Sequence, residues 1–275
     1  MNIEHSAATQ IQPRAIGGVN LTVTASGQTT RLRHLRQSGS LKCLFPRNTK
    51  GGCEAVLINT AGGITSGDRF SVDATVQSNA RLTLTTQASE RAYASAGEVG
   101  GQIATSLAVK SKGHINWLPQ ETILFNNCHL SRSLHVELEQ DARALICEPV
   151  IFGRTLMGEK LSCAQFEDRV EITRDGKPIY LDQLKLSGNV EQTLARPHTA
   201  AGNLAMASLV YVAPDAEAHL STIRSFLPDT GAASLVQEGL LVCRMLAPDG
   251  YLLRKHLLPV LNHLTRNQLP KCWMI

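Results

Sequence analysis

The sequence predicts a mainly β fold: one domain of many short strands, with two helices toward its C-terminal part. Three observations lead there. Apolar and polar residues alternate with a period of two through the first two thirds of the 275 residues, which marks half-buried strands. Turns rich in Gly, Asn, Asp and Ser separate these runs, as in sandwiches, barrels and solenoid-like stacks. Helical spacing shows only in the last third.

Residues 55–58 read as a buried strand. Residues 69–76, RFSVDATV, put Phe70, Val72, Ala74 and Val76 on one face, and residues 81–85 do the same with Leu82 and Leu84. Residues 103–109, 114–118, 122–125, 134–138 and 144–147 are further short strands. Gly113 marks a turn, as do residues 97–101 and the pair Asn126-Asn127. Asp175-Gly176, between residues 170–173 and 179–181, predicts a hairpin. Residues 215–226 have helical spacing behind Pro214 and Asp215. Residues 234–246 make either a strand pair or one long strand. Residues 251–264 predict a second helix, which Pro259 should kink or break early. Residues 1–15 read as a loose arm and 16–275 as a single domain, with no repeat and no low-complexity linker.

Composition removes several classes of function. No apolar run reaches the roughly eighteen residues of a membrane span, and the N-terminal stretch MNIEHSAATQIQPRA has no apolar core of a secretory signal. The seven cysteines are odd in number, widely spaced and without a CxxC. They predict reduced thiols in a cytosolic protein, several of them buried, and no disulfide framework or zinc ribbon. The formal charge of +4, from 27 basic and 23 acidic residues, is spread along the chain without a basic cluster. That gives nucleic-acid binding little support.

The densest chemistry lies in Asn59 to Phe70, NTAGGITSGDRF. A P-loop would end in a lysine and a hydroxyl that meet phosphate and magnesium. Here Gly67 is followed by Asp68 and Arg69, and a strand follows instead of a Rossmann helix. The loop is either a tight turn needing positive φ or a frame for one placed carboxylate. No G-x-S-x-G or HExxH occurs. His256 and His263 fall two helical turns apart with Pro259 between them, too far for a shared ion without another ligand. The acids Asp68, Glu121, Glu148, Glu159 and Asp182 lie beside apolar or glycine-rich segments. A buried acid must find a partner or shift its pKa, so each is a functional candidate. The competing reading is a structural salt bridge, with Arg154 or Arg69 as natural partner.

Four ordered blocks and a closing one resemble one family. They are Leu57-Ile58-Asn59-Thr60-Ala61-Gly62-Gly63-Ile64-Thr65-Ser66-Gly67-Asp68-Arg69, LTTQASERAY over 84–93, WLPQETILF over 117–125, GRTLMGE over 153–159 and LPKCW over 269–273. Together they are similar to the UreD (UreH) family of urease accessory proteins, from about Ser38 to the C-terminus. The glycine loop opens with Ala61 where the family often has proline, the second block reads Arg91-Ala92-Tyr93 where a lysine often stands, and the last has Lys271 in place of arginine. The resemblance implies a β-rich helical stack of strands with two helices near its C-terminal part, and no enzymatic activity. It implies a cytoplasmic complex with UreF and the GTPase UreG, a GTP-hydrolysis-dependent chaperone that lets nickel reach apo-urease. Nickel would be in transit, with no permanent cofactor.

Histidine and thiolate hold nickel tightly, while carboxylate and water hold it loosely. A conduit should therefore use exchangeable oxygen ligands. Asp68, Glu148 and Glu159 are the expected metal-path residues, with Thr85, Thr86 and Gln87 in support. A pure scaffold is a second reading. A β-rich hydrolase or carbohydrate-binding protein unrelated to urease is a third, and the 4% aromatic content argues against glycan stacking.

Overall fold

The structure, a computed structural model, describes residues 13–47, 51–97, 99–154 and 157–274. Most of the arm expected over 1–15 lies outside the described residues. At its end, Ala15 is tied down through hydrogen bonds to Asp68 and Arg69.

Two sheets face each other, and the chain passes from one to the other. The elements are β1 (Ile16–Ser26), β2 (Thr29–Gly39), β3 (Leu41–Leu44), β4 (Cys53–Asn59), β5 (Arg69–Val76), β6 (Arg81–Thr86), β7 (Glu90–Ala92), β8 (Gly101–Val109), β9 (His114–Leu118), β10 (Thr122–Leu124), β11 (His129–Leu138), β12 (Arg143–Phe152), β13 (Ala164–Arg174) and β14 (Lys177–Gly188). After a short helix α1 (Val190–Leu194) come β15 (Ala205–Val212), α2 (Ala216–Phe226), β16 (Gly231–Gln237), β17 (Leu240–Ala247) and α3 (Gly250–Leu264). The first sheet runs β14-β13-β11-β8-β5-β1-β2 and the second β16-β17-β15-β12-β9-β6-β4-β3. Within them β1, β5, β8, β11 and β13 are parallel, as are β4, β6, β9 and β12. Short β10 and β7 branch from the end of β12 as parallel members of the second sheet, and β7 also bridges to Ile64. The body is thus a stacked coil of strands, as expected, with antiparallel hairpins on its flanks.

Rungs of inward side chains fill the coil: Val72, Thr105, Leu134 and Val170 from one sheet, and Leu84, Trp117 and Ile146 from the other. Arg69 stacks beside Gln102, Gln102 lies level with Ser131 through their shared ladder, and Ser131 beside Glu167. The sequence distance between levels differs each time, so the coil leaves no period in the sequence.

A second apolar core lies on the outer face of β15, β17 and β12. Tyr211, Leu209, Cys243 and Met245 meet Ile223 of α2 and Leu253, Leu257, Val260 and Leu261 of α3. Strand β12 is covered on both faces, which explains its nearly unbroken burial. Helix α3 runs through Pro259 without the early break expected there. Its buried residues lie on both sides of the proline and dock on one surface, which offsets the missing hydrogen bond. Residues 231–247 form a strand pair, and the hairpin turns at Asp175 and Gly176, both at positive φ. All seven cysteines are unpaired, and four are buried. Burial pushes the Cys43, Cys128 and Cys243 thiols up to about 12, so they are poor nucleophiles and poor ligands at neutral pH.

Candidate functional site

Between the sheets lies a cavity of about 250 Å³. It reaches the surface where Gly62, Gln87 and Ala88 are exposed. Asn59, Thr86 and Glu90 line it further in, and Trp117, Thr122, Arg132 and Glu148 line its inner part.

The glycine loop shapes the mouth. Gly62 has φ +80° and Gly67 φ +73°, so the positive-φ turn reading holds. A Cβ on Gly63 would come within 2.2 Å of the Tyr93 ring and 2.8 Å of the Arg91 carbonyl. Only glycine lets this loop lie against β7. The Asn59 amide donates to the Gly63 carbonyl (3.0 Å) and to Glu90 Oε2 (3.1 Å). Burial raises the Glu90 pKa, opposed by Asn59 and by the N–H of Arg91. Sequence reasoning passed over Glu90, although it stands inside the LTTQASERAY block.

A three-charge cluster occupies the inner part. Arg132 donates from Nε to Asp168 Oδ1 (2.9 Å) and from Nη2 to Oδ2 (2.6 Å), a two-pronged pair. Its Nη1 donates to Thr122 Oγ1 (3.0 Å) and lies 2.5 Å from Glu148 Oε2. That last contact is close in charge but poorly aligned, so Glu148 Oε2 accepts no hydrogen bond from the described residues. Trp117 Nε1 donates to Glu148 Oε1 (2.5 Å). Arg132 and Glu148 are almost wholly buried, and Asp168 nearly so. One guanidinium thus faces two carboxylates, and the cluster is one positive charge short. A proton can fill that deficit. Burial pushes Glu148 up to about 7, Asp168 adds to the rise, and Arg132 and Trp117 oppose it. A cation from the cavity can fill the same deficit, at the expense of that proton.

The other predicted residues sit elsewhere. Thr86 and Gln87 line the cavity, and Thr86 Oγ1 accepts from the N–H of Gln120 at 2.9 Å. Thr85 faces the opposite side of β6, with Oγ1 3.6 Å from Cys272 Sγ. Asp68 is buried but does not line the cavity. Its Oδ1 accepts from the N–H of Ala15 (2.8 Å) and its Oδ2 from that of Thr65 (2.9 Å). Asp68→Ala is therefore expected to lower stability by about 1–3 kcal/mol, because two N–H groups lose their acceptors. Urea unfolding at pH 7.5 checks this, and an unchanged midpoint would contradict it. Glu159 pairs with Arg154 (Nε–Oε2 3.0 Å, Nη2–Oε1 3.1 Å) beside Phe125, outside the cavity lining. Its pKa is lowered, first by the hydrogen bond from Arg154. Glu121 holds α3: Arg254 Nε donates to its Oε1 (2.6 Å) and Nη2 to Oε2 (3.0 Å). Asp182 pairs with Arg244. The structure does not gather Asp68, Glu148 and Glu159 at one point.

The WLPQET run also holds residues 272 and 273. Trp273 Nε1 donates to the Leu118 carbonyl (3.0 Å), and the Gln120 amide to that of Cys272 (3.2 Å). A larger polar groove of about 900 Å³ runs over the outside of the second sheet, with Arg81, His114, Arg143 and Arg174 interleaved with Glu54, Asp141 and Glu238. Arg81, His114 and Arg143 stand side by side there on neighbouring strands. Among the described residues no helix is long and apolar enough to cross a membrane.

Comparison with known proteins places this architecture. A family profile described as UreD urease accessory protein matches residues 15–274. A Urease accessory protein UreD of Ruegeria pomeroyi is 51% identical over 257 residues, covering 94% of this chain and all of its own length. Proteins of the same description from Roseobacter denitrificans and Mesorhizobium japonicum are 45% and 41% identical, each alignment covering 95% or more of both chains. The chain belongs to the UreD family of urease accessory proteins.

Proposed function

We propose that this chain serves urease maturation as a non-catalytic nickel carrier, with the inter-sheet cavity as the point where the ion is held in passage. The observation that supports this most is the cluster of Arg132, Asp168 and Glu148, one positive charge short, beside a cavity open to the surface. Carboxylate, amide and hydroxyl oxygens from Glu148, Glu90, Gln87 and Thr86 offer exchangeable ligands. Among the described residues no group of three or more His, Cys, Asp or Glu gathers into a tight trap. In this reading the chain works in the cytoplasm in a complex with UreF and the GTPase UreG. GTP hydrolysis by UreG drives delivery to apo-urease, and this chain is both scaffold and conduit. Asp68 and Glu159 shape the walls by closing a turn and a loop.

Protonation sets a pH dependence. Glu148 ionises at about 7, above its ordinary value of 4.5. Below about 7 the proton competes with the metal, and above it the carboxylate is free. Nickel delivery to urease should therefore fall as pH drops from 8 to 6, more steeply than carrier assembly does. The check is nickel bound to urease after in vitro maturation with purified UreF, UreG and apo-urease at each pH. A flat profile would remove Glu148 from the path.

A further inference from the structure

Helices α2 and α3 lie side by side, and each brings one histidine to their seam. His219 Nδ1 and His263 Nε2 are 2.9 Å apart. Their rings are nearly perpendicular, with an interplanar angle of 80° and centroids 4.9 Å apart. Both are partly exposed, on the outer layer and away from the inter-sheet cavity.

The other nitrogen of His219 faces a carboxylate. Nε2 lies 3.7 Å from Asp215 Oδ2. Asp215 is itself fixed, because Tyr211 donates to Oδ1 at 2.9 Å and Arg143 Nη1 lies 3.6 Å from Oδ2. A carboxylate on that side favours the proton on Nε2 and leaves Nδ1 with a free lone pair toward His263. This is how metal-binding histidines are oriented: the far N–H faces a carboxylate and the near nitrogen faces the ion. Burial and the neighbouring His219 both lower the His263 pKa.

The spacing has a second meaning beside a shared proton. With metal–nitrogen bonds of about 2.0–2.1 Å, two nitrogens held at right angles stand about 2.9 Å apart. A tetrahedral angle would need roughly 3.3 Å on the same bond lengths. The observed distance suits the right-angled geometry that nickel and copper adopt in nitrogen and oxygen sites. We propose that His219 and His263 form a two-histidine site for a divalent transition-metal ion, with water completing the shell, that clips α2 to α3. With only two protein donors the ion is exchangeable. The site is separate from the cavity and does not depend on the role given to Glu148.

The test is equilibrium dialysis of the full chain against Ni²⁺ alone and Zn²⁺ alone at pH 7.5, with metal analysis. The wild type should bind one equivalent more than the His219→Gln/His263→Gln double variant, and His219→Ala and His263→Ala should each weaken that equivalent at least tenfold. Asp215→Asn should weaken it by about tenfold through lost orientation. The thermal midpoint of the wild type should rise with metal, and that of the histidine variants should not. His219→Gln and His263→Gln, checked by circular dichroism, repeat the comparison with the helix seam filled. Equal binding in wild type and in folded histidine variants would overturn the proposal, and so would a wild type that binds no more metal than the His219→Gln/His263→Gln double variant.

Discussion

Glu148→Gln is expected to leave the fold and complex assembly intact while cutting nickel occupancy of urease at least tenfold. Glutamine has the same shape and still accepts from Trp117 Nε1. It removes the charge that makes the cluster one cation short. At an effective dielectric constant of about 20, a carboxylate about 4 Å from a unit charge is worth about 4 kcal/mol before desolvation takes part of it back. Even a third of that is a factor of ten. Stability moves the other way. With a folded pKa near 7 against 4.5 for an ordinary glutamate, the unfolded chain holds fewer protons between those values. Stability therefore falls as pH rises through that window and stays at the lower level above it. At pH 8 the glutamine variant should be at least as stable as the wild type. Co-purification with UreF and UreG, urea unfolding and metal analysis of the urease separate the effects. Lost assembly would make Glu148 a structural residue.

Arg132→Leu has the opposite signature. It leaves Asp168 and Glu148 buried and close, with no cation between them. Removing one partner of a buried ion pair costs about 3–5 kcal/mol, whereas replacing the whole cluster with apolar residues is often neutral or stabilising. Arg132→Leu should thus unfold at markedly lower urea. The triple variant Arg132→Met, Asp168→Leu, Glu148→Leu should recover the midpoint without recovering nickel delivery. A triple variant that matures urease normally would assign the cluster to folding alone.

Much of the fold was legible where alternation is strict. Residues 69–76 and 114–118 coincide with β5 and β9, because one face is in the core and the other in water. Legibility failed where that contrast is missing. Strand β15, AMASLVYV, is buried on nearly every residue between neighbours and helices, so it shows no period. Strand β2 is an almost wholly exposed edge carrying Arg31, Arg33 and Arg36, charges that suit an unpaired edge but hide the strand. Only two helices were expected, and the five-residue α1 is too short to leave a periodic signal.

The site was half legible. Glu148 stood out as an acid in an apolar strand. Its partners carried the same signal unread: Arg132 takes the inward parity of Leu130, Leu134, Val136 and Leu138, and Asp168 that of Phe166, Val170 and Ile172. A charge on the apolar parity must be paired inside. Their meeting depends on β11 lying beside β13, with Arg132 level with Asp168, and no local pattern encodes that pairing. The histidine seam failed similarly: His263 was weighed against His256 on its own helix, whereas its neighbour is His219 on another. His256 instead meets the Phe226 carbonyl at 3.0 Å.

The most direct measurement fills the cavity. Thr105 lines it from the inward face of β8, and Thr105→Phe would put a ring into the space beside the charge cluster without touching its charges. The quantity to read is nickel per urease active site after maturation with this variant, in complexes shown to hold UreF, UreG and apo-urease in wild-type proportion. A carrier that works through the cavity predicts a normal complex and urease largely empty of nickel. Urease fully loaded by the plugged chain would contradict it, and the metal would then travel by another route.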